Sequence, residues 1–94
     1  MRAISQQAHL LTINENYQKW AQSQRLAFMS SEGHRYQGVV LTPQRLANEF
    51  LKWCCGIESK KEIESCDVAR SAFVLHHRQY TRWCVRHGLA TAGA

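Results

Sequence analysis

The sequence predicts an all-α protein: a small single-domain bundle of three to four helices with one short extended segment near residues 35–41. Three observations predict it. The chain has 94 residues, the length of one domain. Its apolar residues recur at helical spacing in three separate stretches. Those stretches are bracketed by helix start and stop signals, such as Thr42-Pro43 before and Gly56 after the middle one. Hydrophobic residues make up 45% of the chain, including three Trp, three Tyr and three Phe, enough for one compact core. A domain this small buries only about 60% of the surface its unfolded chain exposes, so its stability margin is narrow.

Residues 1–11 lack a helix-start signal and are expected to be flexible, as are residues 89–94. The first helix is expected to begin at Thr12, which with Glu15 forms the Thr-x-x-Glu capping box. Ile13, Tyr17, Trp20, Ala21, Gln24, Ala27 and Phe28 then share one face, and Ser30, Ser31 and Gly33 end the helix. Residues 35–41 carry Tyr36 and the β-branched Val39 and Val40 between Gly33 and Pro43, an extended pattern. A single strand is not stable alone, so this segment is either a connector or pairs with a second copy or a partner strand.

The second helix takes Thr42 as N-cap and Pro43 as its first residue. Leu46, Phe50, Trp53 and Cys54 form its apolar stripe and Gly56 stops it. Ser59 and Glu62 form another capping box, predicting a short helical turn over 60–65. A fresh start near Ser65–Asp67 opens the last helix, which runs to His87 with Gly88 as its stop.

At about 100° per residue the last helix divides cleanly. Ala69, Ala72, Phe73, His76, Tyr80, Trp83, Cys84 and His87 fall on one face, the expected core stripe. Arg78, Arg82 and Arg86 recur at i, i+4 and i+8 on the opposite side, flanked by Val74, Leu75 and Val85. The net charge of +5 concentrates here, because residues 70–94 hold four Arg and no acid. A solvated face would explain arginines alone. A solvated face would also pair its charges at i, i+4 and avoid aliphatics, and this ridge does neither. Arg beside apolar residues is the composition of protein interfaces, where Arg is enriched. The same arginines suit phosphates.

Cys84 and His87 have Cys-x-x-His spacing, and Cys54, Cys55, Cys66 and His76 could complete a zinc set. No Cys-x-x-Cys knuckle accompanies them, so no metal and no other cofactor is expected. No cysteine is linked by a local pattern to a histidine base, and there is no phosphate-cradling Gly loop, so the protein is not expected to be an enzyme. Thr42-x-x-Arg45-Leu46-Ala47 and Gly56-Ile57-Glu58-Ser59 are similar to the first helix and turn of a helix-turn-helix, with a gap about one helical turn too long. The acidic content of Ser59–Asp67 also suits a phosphate-lined groove poorly. Ser65 to Leu89, with Tyr80, Trp83 and the ending Arg86-His87-Gly88-Leu89, resembles a helix of the N-terminal core-binding domain of tyrosine recombinases over about a quarter of the chain. No catalytic residue of that family is carried over, and aromatic spacing on a buried helix produces the same pattern.

No signal peptide and no apolar stretch of the ~20 residues that span a bilayer are evident, so the expectation is a cytoplasmic protein with reduced thiols and no membrane partner. The functional expectation is a small non-enzymatic regulatory protein that binds and inhibits a protein partner. Arg78, Arg82, Arg86, Val74, Leu75 and Val85 would contact an acidic protein surface, extended by Tyr36, Val39 and Val40. The alternative is a nucleic-acid-binding accessory or transcriptional regulator using the same basic helix plus Lys60 and Lys61, and the apolar residues off the core stripes would serve a homodimer.

Overall fold

A computed structural model describes residues 3–89. Six α-helices follow one another: α1 (Ile4–Thr12), α2 (Glu15–Ser23), α3 (Arg25–Glu32), α4 (Pro43–Cys55), α5 (Glu62–Ser65) and α6 (Asp67–Arg86). A single 3-10 turn, Gly33–Tyr36, closes α3. No strand occurs among the described residues. The all-α class holds, but the helix number rises from the three or four expected to six.

The difference arises at the N-terminal end. Residues expected to be loose form α1, which sends Ala8, Leu11 and Thr12 into the interior. Thr12 ends this helix rather than starting the next. Its hydroxyl donates to the His9 carbonyl at 2.7 Å. The true N-cap of α2 is Asn14, whose Oδ1 accepts from the Tyr17 backbone N–H at 3.1 Å. A second break at Gln24 separates α2 from α3. Tyr17, Trp20, Ala21 and Phe28 are buried as the periodicity predicts, whereas Ile13, Gln24 and Ala27 are exposed.

Residues 35–41 do not form a strand. Tyr36 closes the 3-10 turn, and Gln37–Leu41 run on as an irregular connector with Gly38 at positive φ. The extended character of Val39 and Val40 had no neighbouring strand to satisfy it.

From Thr42 onward the helix starts and stops fall where the sequence places them, although the N-cap of α5 is Lys61 and the Ser59 hydroxyl does not cap it. The Thr42 hydroxyl accepts from the Arg45 N–H at 3.2 Å with Pro43 behind it in the first turn. Gly56 closes α4 in the left-handed conformation at φ 67°, with Ile57 N–H bonded to Lys52 O and Gly56 N–H to Trp53 O. This is the Schellman arrangement, which needs a residue free of Cβ strain. Glu62 Oε2 accepts the backbone N–H groups of Glu58 and Ser59, each at 2.7 Å, and so starts α5. Gly88 repeats the Schellman closure after α6, donating to Val85 O while Leu89 N–H reaches Cys84 O at 2.8 Å. Leu89 packs against the core as the half-buried follower of that motif, and residues 90–94 lie outside the described part.

The core sits between α2, α4 and α6, with α1 laid across α4 and α5. Tyr17, Trp20, Phe28, Phe50, His76 and Tyr80 form a continuous ring cluster inside it; Tyr17 meets Tyr80 edge-on at 5.3 Å and Trp20 meets Phe50 edge-on at 5.3 Å. Edge-to-face rings at these separations pack better than parallel stacks. Among the described residues no helix is long and apolar enough to cross a membrane.

Candidate functional site

The candidate interface is the outer side of α6. Five of this helix's residues, Ala69, Phe73, His76, Tyr80 and Cys84, are buried at the predicted core positions. Their burial fixes the rotation of the helix. It therefore sends Arg78, Arg82 and Arg86 to the surface, and all three are exposed. Val74, Leu75 and Val85 stand exposed among them, at 42%, 56% and 70%. Val68 joins the same side at 79% exposure. Its place was readable from the wheel, since Val68 lies seven residues before Leu75 and so at almost the same angle.

None of Arg78, Arg82 and Arg86 takes part in an ion pair among the described residues. Arg70, the fourth arginine of this quarter, behaves differently. Its guanidinium donates to Glu64 O at 2.6 Å, to Ile63 O at 3.3 Å and to Asp67 Oδ1 at 3.1 Å. Arg70 thus ties the end of α5 to the start of α6, whereas Arg78, Arg82 and Arg86 make no such tie among the described residues.

The remaining predicted contact residues lie elsewhere. Val40 is 84% exposed on the connector before α4 and Val39 is partly exposed. Tyr36 is half-buried; its ring packs on Phe28 at 5.7 Å and its hydroxyl donates to Glu49 Oε2 at 3.1 Å. Burial and that hydrogen bond raise the Tyr36 pKa. The phenol is thus already engaged within the fold.

The Cys and His residues do not converge. Cys84 is buried while His87 is exposed, its Nδ1–H donating to Trp83 O at 2.8 Å and its ring stacked on Trp83 at 4.4 Å. His87 therefore leaves the core stripe on which the periodicity placed it, because α6 ends there. Burial pushes the Cys55 thiol up to about 11, which suppresses its thiolate. Among the described residues no group of three or more His, Cys, Asp or Glu side chains could hold a metal ion.

His76 lies at the centre of the ring cluster, 2% exposed, with its Nε2 2.7 Å from the Tyr17 hydroxyl. Desolvation lowers the imidazole to about 4, assisted by neighbouring His77, and raises the Tyr17 phenol well above its usual value. Both groups are neutral across the physiological range, and the pair joins α2 to α6. His76 Nδ1 has no partner among the described residues.

The fold of the helix-turn-helix comparison is also decided by length. The element following Gly56 is α5, only four residues long, and a single turn does not fill a major groove. No protein-family model, no curated protein and no solved structure matches the chain.

Proposed function

We propose that this protein is a small non-enzymatic regulator that binds a protein partner through the outer face of α6 and inhibits it by occlusion. The observation that carries the reading is the composition of that face. Three arginines that make no ion pair among the described residues alternate with four exposed aliphatic residues, Val68, Val74, Leu75 and Val85. Aliphatic side chains gain about 25 cal/mol for each Å² removed from water, and arginines orient an acidic partner surface and accelerate encounter. The face is presented on a helix held by five buried side chains, so it meets the partner already ordered.

The test is affinity capture from nuclease-treated native lysate, with the wild-type chain and Arg82→Glu as parallel baits. The reading expects a protein retained by the wild type and lost with the variant. Equal retention by both baits would place the contact elsewhere.

Nucleic acid is the second reading, favoured by the same unpaired arginines. Each phosphate neutralised on duplex DNA contributes a slope of about −0.9 in log K against log salt, so three arginines would give a slope of roughly −3. Lys60 supports this reading less than its charge suggests, because its ammonium is turned to His9 of α1 at 3.2 Å. Gel shifts at low salt with no retarded species would remove nucleic acid from consideration.

A further inference from the structure

A second polar site lies away from α6, in a cleft between α1, α4 and the loop before α5. His9 and Thr12 of α1, Arg45 and Asn48 of α4, and Lys60 line it. No carboxylate lines it. Lys60 is half-buried, and its ammonium lies 3.2 Å from His9 Nδ1. Because an ammonium only donates, His9 Nδ1 accepts, and the ring proton sits on Nε2 as a further donor.

The charge balance of this cleft is incomplete. A partly desolvated ammonium is stabilised by a counter-ion, and Lys60 has none within ion-pair distance among the described residues. Desolvation accordingly lowers its pKa, and Lys52 adds to the effect. The acid that acts on it, Glu49, is engaged with Lys52 at 3.2 Å and with the Tyr36 hydroxyl at 3.1 Å. Among the described residues Arg45 makes no ion pair either. A group carrying several acceptor oxygens and negative charge would satisfy all of these donors together.

We infer that this cleft is an oxyanion site that takes a phosphate group, held by Lys60, Arg45 and the His9 Nε2–H. Phosphate fits better than a carboxylate because Lys60, Arg45 and His9 together offer more N–H donors than two carboxylate oxygens can take up, and a tetrahedral anion offers more acceptor oxygens. The inference is independent of the α6 interface.

Inorganic phosphate and a nucleoside monophosphate would each be titrated into the isotope-labelled protein, with amide and side-chain NMR shifts followed at constant ionic strength against sodium chloride. Saturable shifts centred on His9, Arg45 and Lys60 are expected for both probes, and an affinity loss of tenfold or more in Lys60→Gln. Tighter binding of the nucleotide would mean that the phosphate belongs to a larger ligand; equal binding would mean that free phosphate suffices. Arg82→Ala would leave both titrations unchanged. If Lys60→Gln fails to fold, Arg45→Gln carries the same expectation. Shifts that never saturate, or that persist undiminished in a folded variant, overturn the site.

Discussion

At the scale of single residues, His76 shows how chemistry and packing are linked. Its imidazole replaces an apolar side chain at the centre of the ring cluster, and its one hydrogen bond, to Tyr17, spans 59 positions of sequence. Burial favours the neutral ring and lowers its pKa to about 4 from 6.5. The unfolded chain therefore binds a proton that the folded chain refuses. Stability is complete above pH 6.5 and is lost as pH falls from there towards 4, by on the order of 3 kcal/mol from this residue. His77, lowered by its own partial burial, adds in the same direction. Urea denaturation at steps between pH 7 and pH 4 should show this fall, and His76→Gln should flatten most of it while lowering stability at pH 7. A wild-type curve that is level between pH 6.5 and 5 would mean that the ring is solvated.

At the scale of elements, the helix ends decide the architecture, and their legibility differed for physical reasons. Thr42, Pro43 and Gly56 were readable because each acts locally: a hydroxyl caps an N–H, a ring presets φ, and a missing Cβ permits φ 67°. The pattern of α6 was readable because its core stripe is long and uninterrupted. The break between α1 and α2 was not. Thr12 and Glu15 match a capping box, but Asn14 wins, because its Oδ1 also accepts the Tyr80 hydroxyl at 3.0 Å, across 66 positions. No local pattern reveals a partner that distant. Likewise the sequence shows arginines in the last quarter without distinguishing Arg70, whose acceptors are carbonyls of α5. Asn14→Ala should remove both the cap and the Tyr80 partner, costing roughly 2–3 kcal/mol in chemical denaturation. Asn14→Asp retains an acceptor for both bonds and should recover most of that loss; equal damage from the two would deny the double role. Gly56→Ala meets no neighbouring atom within 4 Å, so its cost is conformational, about 1 kcal/mol. A neutral outcome there would mean that α4 closes in another way.

At the scale of the whole molecule, the fold is a slab of 39 × 34 × 18 Å, and α6, at 20 residues, is about 30 Å long. A stripe of that length and about 10 Å width offers roughly 300 Å², well short of the ~800 Å² per partner of a standard interface. A complex through α6 alone therefore relies on a few anchors and on charge. The arginines and aliphatics then divide the work. In the proposed complex Leu75 and Val85 would hold the partner once bound, and Arg78, Arg82 and Arg86 would guide its approach, their field reaching only about 10 Å at 0.1 M salt. In kinetics measured on the captured partner, raising salt from about 50 to about 500 mM should slow association far more than it speeds dissociation. Arg82→Glu should lower the association rate at least tenfold and make it nearly insensitive to salt. Leu75→Ala should raise the dissociation rate and leave salt sensitivity intact. Both variants should melt within a degree or two of wild type, since each side chain is exposed. If Arg82→Glu instead lowered the melt strongly and left association untouched, the ridge would be part of the fold, and the partner would have to meet a different surface.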